Sequence, residues 1–261
     1  AVLGQSVCIR LLSLDLSFGG VAMVVAYVMT SGSVDLPVWG LISFCLLFGV
    51  IVGSVNALFI TKLNASSVIV TLAMTMVLGG VVLALTQFRS LGDAPQLMRD
   101  FGRARVGMIP LPVICWLVIA GAMAAFMRYS TFSRYVDAIG ANPRAAIASG
   151  LPYIKVMFAG HIMSSLFAVL SAMFLLAFVG VGSLSLGSDL ALNSLAAVIL
   201  GGVTFGSGKG GVLGPTVAAF MLVFAFNFLT SLGLGEPGKQ MAQGAIIAMA
   251  AIAYAARGSR T

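Results

Sequence analysis

Residues that could carry out chemistry are scarce in this chain. His161 is the only histidine, and Cys8, Cys45 and Cys115 lie far apart within apolar sequence. The chain contains no His-Glu-x-x-His zinc motif, no Gly-x-Ser-x-Gly nucleophile motif and no pair of carboxylates in a pocket motif. The sequence therefore predicts neither an enzyme nor a metal site.

Two polar residues in apolar surroundings each allow two interpretations. His161 lies in an apolar run near Ser164 and Ser165. It could be a proton relay group, but a neutral packing residue with one hydrogen bond is the favoured interpretation. Asp15 could contact a substrate; because Leu16-Ser17 follows it at the start of an apolar run, the cap of a helix is favoured.

The glycine-rich turn at 206–211 contains Gly-Lys but does not match the phosphate-binding loop motif. Such a loop needs Gly-x-x-x-x-Gly-Lys-Ser/Thr between a strand and a helix, so that backbone N–H groups and the lysine surround the phosphates. Here Val203 occupies the position of the first glycine, and Gly210 follows Lys209. We therefore expect no nucleotide site and no cofactor in this chain.

The elements that must position these residues are membrane helices. Apolar residues make up 60% of the chain and charged residues only 8%, which is too much apolar surface for one water-soluble core. The net charge of +7 is carried by short loops and the C-terminus, so membrane topology explains it without nucleic acid. The sequence predicts an all-α, polytopic membrane protein that forms a single domain over residues 1–261.

Apolar segments separated by short polar turns predict the spans. They lie near 15–31, 38–61, 67–88, 109–128, 156–180, 190–203, 212–231 and 239–256. We expect about 8–10 transmembrane helices, since a helix needs roughly 20 residues to cross the hydrocarbon. The first and sixth segments are short, which is typical of half-helices or re-entrant segments. Residues 1–12 are expected to end another helix, with the chain beginning partway into the protein.

The distribution of cations predicts the orientation. Alternating spans place nine of the 14 basic residues on one side, which the positive-inside bias assigns to the cytoplasm. These are Arg10, Lys62, Arg128, Arg134, Arg144, Lys155, Lys209, Arg257 and Arg260. The polar, basic stretch 129–155 then faces the cytoplasm. Asn142-Pro143 predicts a helix start and Gly150-Leu151-Pro152 its end.

Several ordered motifs resemble one family of membrane proteins, the permease subunits of ribose-type and other simple-sugar ABC importers, which are distantly similar to the branched-chain amino-acid permeases. The motifs lie at 14–19, 53–61, 71–72, 107–113, 134–150, 195–202 and 206–214. The most specific is Arg134-Tyr-Val-Asp-Ala-Ile-Gly-Ala-Asn142, followed by Ala145-Ala146 and Ser149-Gly150. Arg144 stands where the family usually has a glutamate.

The resemblance implies how such a chain works. The segment 129–155 would dock on a partner ATPase through Arg134, Asn142, Arg144, Ala145, Ala146, Ser149 and Gly150, with Lys209 as a further interfacial cation. A helix lying on the membrane surface is the competing interpretation of the same segment. Candidate residues of the translocation path are Asn56, Thr71, Thr75, Asn193 and Asn227, which offer uncharged polar groups.

The resemblance also implies partners and a location. They are an ATP-binding subunit, a periplasmic or extracellular solute-binding protein, a second permease subunit in a homodimer or heterodimer, and the lipid of a bacterial inner membrane. The solute would be a simple sugar. A branched-chain amino-acid permease remains an alternative, as does an ion-coupled carrier, although the spans hold almost no acids.

Overall fold

The computed structural model describes residues 1–87, 89, 91–203, 210–233, 235, 237–238, 241–242, 244–246 and 248–249. Its helices are α1 (Val2–Arg10), α2 (Phe18–Thr30), α3 (Val38–Lys62), α4 (Ser67–Thr86), α5 (Gln96–Arg103), α6 (Leu111–Tyr129), α7 (Thr131–Ala141), α8 (Pro143–Ala148), α9 (Tyr153–Val179), α10 (Leu190–Leu200) and α11 (Leu213–Ser231). A two-residue hairpin, β1 (Arg105–Val106) with β2 (Ile109–Pro110), precedes α6.

Five of these helices are long and apolar enough to cross a membrane, namely α3, α4, α6, α9 and α11. Helices α2 and α10 are apolar but shorter. The prediction of an all-α, polytopic membrane protein is confirmed. Within the described residues the departures are the short hairpin at 105–110 and an isolated β-bridge between Asp93 and Val181. The predicted span at 239–256 lies largely outside the described residues.

Helix α9 is the centre of the bundle. It packs against α1, α2, α3 and α5, and 44% of its most apolar stretch is buried, compared with 17% for α4, α6 and α11. The outer helices instead expose large apolar side chains such as Ile69, Met76 and Phe224. That pattern suits a bundle whose periphery faces lipid, where apolar exposure costs nothing.

Small residues bring the helices around α9 into close contact. A Cβ atom added to Gly53 of α3 would lie 2.6 Å from the carbonyl oxygen of His161, and one added to Gly4 of α1 would lie 2.8 Å from Cα of Ser164. Helices in lipid associate mainly through such close packing, because the apolar solvent supplies no hydrophobic driving force. The glycines therefore determine how closely α1 and α3 approach α9.

Two of the helices begin inside the bundle after a non-helical segment. Residues 11–17, here called the break segment, connect α1 to α2, and Leu12 within it has a φ of 60°. Residues 180–189 lead to α10 and pass close to α2. A Cβ atom added to Gly19 of α2 would lie 3.7 Å from the carbonyl oxygen of Gly187. The short first and sixth segments thus contain apolar helices of only 13 and 11 residues.

The two ends of the bundle differ in their elements. One end, the α8 end, carries α7, α8 and the α3–α4 turn, because Asn64, Pro143 and Tyr153 line the same cavity. At the other, the α5 end, the N–H of Ala94 donates to the carbonyl oxygen of Gly180. Among the described basic residues, Arg10, Lys62, Arg128, Arg134, Arg144 and Lys155 belong to elements at the α8 end, whereas Arg89, Arg99, Arg103 and Arg105 belong to segments at the α5 end.

Candidate transport site and coupling segment

Hydroxyl side chains of α4 contact the backbone of the break segment. Ser67 Oγ accepts a hydrogen bond from the N–H of Leu14 (3.1 Å), and Thr75 Oγ1 donates to the carbonyl oxygen of Leu16 (2.7 Å). Thr71 Oγ1 donates to the carbonyl oxygen of Ser67 in its own helix (2.8 Å) and lies 3.4 Å from that of Leu14. Residues four apart share one face of a helix, so this stripe replaces the backbone bonds that the break removes.

Asp15 and Asn56 organise the start of α2 from within the bundle. The carboxylate oxygen Oδ1 of Asp15 accepts from both the N–H and the hydroxyl of Ser17, the N-cap residue of α2, at 2.9 and 2.5 Å. The Nδ2 group of Asn56 on α3 donates to Ser17 Oγ over 3.3 Å. Asp15 was predicted to cap this helix, but the N-cap residue is Ser17, and Asp15 instead holds Ser17 in place from two residues before it.

Buried polar atoms without a hydrogen-bond partner within the described residues surround this point. They include Asp15 Oδ2, Asn56 Oδ1, both amide atoms of Gln5, His161 Nδ1 and the hydroxyls of Ser164 and Ser165. His161 makes one hydrogen bond, between Nε2 and Ser13 Oγ (2.9 Å), which fits the packing interpretation. Ser13 belongs to the break segment rather than to α9. The centre of the bundle is thus polar, as transporters with broken helices require.

A cavity of about 420 Å³ opens beside the break segment at the α8 end. Residues 11–14 form one wall, the α3–α4 turn another, and Pro143, Tyr153 and Met157 the third. The lining residues that the structure describes include no charged side chain, and their polar groups are those of Ser13, Asn64, Ser66, Ser67 and Tyr153. An uncharged solute could leave through such a vestibule without being trapped by a fixed charge.

The five residues predicted for the translocation path fall into three environments. Asn56 and Thr71 are fully buried and, with Thr75, contact the break segment and α2 rather than an open channel. Asn193 on α10 is half-buried, and its Oδ1 has no partner among the described residues. Asn227 is exposed on α11 and donates to the carbonyl oxygen of Val223 in its own helix (3.0 Å). The structure does not bring Asn227 to the buried group.

Replacing Thr75 by valine tests whether α4 holds the break segment. The variant keeps the shape of the side chain but leaves the Leu16 carbonyl without its donor, so we expect a loss of roughly 0.5–2 kcal/mol of stability. Thr86→Val on the same helix is the control, because Thr86 bonds only within α4, to Val82 and Leu83. Thermal unfolding in detergent measures both, and equal shifts in Tm would contradict the assigned role.

The segment 129–155, which was predicted to couple to an ATPase and is here called the coupling segment, folds into two short capped helices. Ser130 Oγ accepts from the N–H of Ser133 at the start of α7 (3.3 Å), and Asn142 Oδ1 accepts from the N–H of Ala145 at the start of α8 (3.1 Å). Pro143 is the first residue of α8, and Gly150 has a φ of +79° just beyond its end. The predicted N-cap, proline start and glycine stop are all confirmed.

Helix α8 presents small residues to the outside of the chain. Ala146 faces inward and is buried, whereas Asn142, Arg144, Ala145, Ser149 and Gly150 are exposed, as is Arg134 on α7. Ile147 stands among these small side chains with 52% of its surface exposed. The predicted coupling residues therefore lie together except for Ala146, which supports α8 from below. Lys209 lies outside the described residues.

Arg10 connects the coupling segment to the broken helix, a contact that the sequence did not reveal. It ends α1 with only 3% of its surface exposed. Its guanidinium donates to Asp137 Oδ1 (2.5 Å) and Ser133 Oγ (3.0 Å) of α7, and to Met127 Sδ of α6 (3.6 Å). The buried end of α1 is therefore joined to α7 by an ion pair and a further hydrogen bond.

Replacing Asp137 by asparagine is expected to lower stability by roughly 1–3 kcal/mol, because it removes the carboxylate that balances the charge of the buried Arg10 guanidinium. The loss is no larger because the Asp137 side chain is half-exposed, so water already screens the pair. Asp93→Asn is the control: Asp93 pairs with Arg99 over 3.4 Å at the surface, where such pairs contribute little. Thermal unfolding of the two variants should differ, and a Tm loss confined to Asp93→Asn would refute the assignment.

A helical membrane bundle with broken helices, a polar centre and a vestibule at one end defines the class of membrane transport proteins. The chain belongs to the family described as the permease component of the branched-chain amino acid transport system, which matches residues 1–255. The resemblance to importer permeases is thereby confirmed, and the family is one of transporters rather than enzymes.

Individual relatives carry import permease names. The ribose import permease protein RbsC of Haemophilus influenzae is 25% identical over 255 residues, covering 96% of this chain and 79% of that protein. The autoinducer 2 import system permease protein LsrD of Klebsiella pneumoniae is 26% identical over 248 residues, covering 90% and 73%. LsrD of Photorhabdus temperata is 24% identical over 248 residues, covering 92% and 74%. No solved structure matches the chain.

Proposed function

We propose that this chain is the permease subunit of a bacterial ABC importer that moves a small, uncharged polar solute, a simple sugar, into the cytoplasm. The observation that carries this proposal is the contact of Arg10 with Asp137, because it links an exposed segment suited to docking with the helix break in the membrane. The energy would come from ATP hydrolysis in a separate subunit, and no nucleic acid takes part.

The docking surface is the exposed side of α8 with Arg134 and Arg144. Alanines, Ser149 and Gly150 allow a partner surface to approach the helix closely, and Ile147 supplies an apolar contact at its centre. Neither arginine forms an ion pair within the part of the chain that the structure describes, so both are available to acidic side chains of an ATP-binding subunit. Lys209 is proposed to add a third cation.

Closure of the ATPase around ATP would shift α8 and α7 together. Because Asp137 holds Arg10, that shift moves the end of α1 and the break segment relative to α9. The vestibule beside the break segment would then open or close toward the cytoplasm. The chain acts as the two-state element of the importer, with its energy source in a neighbouring subunit.

An uncharged vestibule favours a sugar over an amino acid. The cavity is lined by hydroxyl, amide and apolar groups, whereas a zwitterionic solute needs fixed charges or helix dipoles to replace its hydration. Relatives named for the import of ribose and autoinducer 2 agree with this choice. The description of the family supports the second candidate, a branched-chain amino acid.

The proposal includes partners on both sides of a bacterial inner membrane. A second permease subunit, identical or related, would complete the path, and Asn227 on the exposed side of α11 is available for that interface. A periplasmic or extracellular solute-binding protein would deliver solute at the α5 end. The remaining exposed apolar helix surfaces would face lipid.

Uptake by proteoliposomes tests the proposal. The permease is copurified with its ATP-binding subunit, the solute-binding protein is added with the solute, and accumulation of labelled ribose is compared with that of labelled leucine when ATP is supplied on the side of the ATP-binding subunit. We expect ATP-dependent accumulation of the sugar that leucine does not reduce and that an ionophore does not abolish. Accumulation of leucine alone would select the amino-acid permease, and uptake driven by an ion gradient without ATP would refute an ABC importer.

A further inference from the structure

Three side chains from different elements meet in the centre of the bundle. Cys8 of α1, Asp15 of the break segment and His161 of α9 are all buried, and their sulfur, carboxylate and ring nitrogen atoms lie within 4.8 Å of one another. The sequence did not predict this group, because Cys8, Asp15 and His161 lie in different segments of the chain, and Asp15 and His161 were interpreted separately as a helix cap and a packing residue.

Two donor atoms of this group have no partner in the described part of the chain. Asp15 Oδ2 and His161 Nδ1 are buried and make no hydrogen bond, although the other oxygen of Asp15 and the other nitrogen of His161 each do. Ser164, one turn beyond His161 on α9, and Gln5, one turn before Cys8 on α1, also present unpartnered polar atoms. Each such atom costs about 1–3 kcal/mol unless something binds it.

The nature of the donors determines what could bind there. A buried carboxylate needs a compensating cation, and Asp15 forms no ion pair with the described residues. Sodium, magnesium and calcium prefer oxygen ligands, whereas a thiolate with an imidazole selects a first-row transition metal or zinc. In a tetrahedral zinc site with bond lengths of about 2.0–2.3 Å, the donors lie roughly 3.5 Å apart, so a modest contraction of the group would complete it.

We propose that Cys8, Asp15 and His161 form a binding site for a transition-metal ion of the zinc type. Ser13 Oγ holds His161 through Nε2 and leaves Nδ1 for the metal, as a second hydrogen bond to a ligating histidine commonly does. Ser164 Oγ or a water molecule takes the fourth position. Ser13 also lines the vestibule, so an ion reaches the group from the α8 end.

A bound ion would tie α1, the break segment and α9 together. Since the proposed function requires α1 and the break segment to move relative to α9, the ion would hold the transporter in one state and inhibit uptake. The metal site goes beyond the proposed function and does not depend on the identity of the solute. Its principal test therefore measures binding rather than transport.

Cobalt(II) is the probe for the test. The full chain is purified in detergent, freed of metal with a chelator and titrated with Co²⁺, and the absorption of thiolate-to-cobalt charge transfer is recorded. We expect one Co²⁺ per chain, a sulfur charge-transfer band and its displacement by Zn²⁺. Asp15→Asn and His161→Gln are expected to weaken binding by at least about 10-fold, in line with the loss of a metal-ligand contact.

The other cysteines provide matched controls. Cys8→Ser should remove the sulfur band, whereas Cys45→Ser and Cys115→Ser should retain it, because those thiols lie outside the group. X-ray absorption of the wild-type protein with Zn²⁺ gives the ligand set even if a variant fails to fold. A wild-type protein without the sulfur band, a spectrum with only nitrogen and oxygen ligands, or a band that depends on Cys45 or Cys115 would overturn the proposal.

Discussion

Replacement of Gly53 by leucine is expected to prevent the bundle from assembling. A Cβ at this position would lie 2.6 Å from both the His161 carbonyl oxygen and the Ile162 Cα, so α3 and α9 would have to separate along their whole contact. Overpacking against backbone atoms cannot be relieved by a change of rotamer, and we expect a loss of more than about 3 kcal/mol. Gel filtration and thermal unfolding of the purified protein measure the effect.

Two other helix glycines serve as controls for Gly53→Leu. A Cβ on Gly80 of α4 or Gly121 of α6 would meet nothing within 4 Å, and both residues are exposed. Leucine has the higher helix propensity, so Gly80→Leu and Gly121→Leu should leave the stability of the subunit unchanged or slightly raised. If Gly53→Leu melts at the same temperature as these controls, the close α3–α9 packing described above is wrong.

Replacement of Gly150 by valine is expected to reduce ATP-driven uptake at least about 10-fold while the protein still inserts and folds. Gly150 has a φ of +79°, which costs a β-branched residue roughly 1–2 kcal/mol, and the chain relieves that strain by rearranging the end of α8. The bonds from the N–H of Gly150 to Ile147 and from the N–H of Leu151 to Ala146 would then be lost. Because Gly150 is exposed and a Cβ there meets nothing within 4 Å, the core is unaffected.

Gly107→Val is the control for Gly150→Val, because it introduces the same kind of backbone strain far from the proposed docking surface. Gly107 also has a left-handed φ, +63°, and a Cβ there meets nothing within 4 Å, but it lies in the hairpin at the α5 end. We expect Gly107→Val to copurify with the ATP-binding subunit and Gly150→Val not to. Gly150→Asn should retain most of the coupling, because asparagine tolerates the left-handed conformation. Wild-type uptake and copurification in Gly150→Val would contradict the proposal that α8 docks on the ATP-binding subunit.

These variants distinguish two ways in which the permease can fail. Gly53→Leu acts on packing between transmembrane helices and should lower the amount of folded protein before any partner binds. Gly150→Val acts on an exposed surface and should lower coupling in a folded protein. Asp137→Asn is expected to combine both effects, since the Arg10–Asp137 contact joins α1 to α7 and, on the proposed mechanism, would carry the movement of α7 to α1. Comparing Tm with uptake for the three variants tests whether each one fails in folding, in coupling or in both.

The sequence by itself determined the class of protein and the local shape of the coupling segment. Hydropathy over a span depends on consecutive residues, so α3, α4, α6, α9 and α11 could be predicted within a few residues of their ends. The caps of α8 are equally local. The Asn142 cap is one hydrogen bond between its side chain and the N–H of Ala145, three residues later, and the Gly150 cap depends on the φ angle of that one residue.

Only the tertiary structure decided what the polar residues within the bundle do. Thr75 was predicted to line a path, but in the structure it bonds to the carbonyl oxygen of Leu16, 59 residues away in sequence. The same applies to Arg10 with Asp137, and to Cys8 and Asp15 with His161. A hydroxyl or carboxylate needs a partner wherever it is buried, and which partner it has depends on the packing of helices that are distant in sequence.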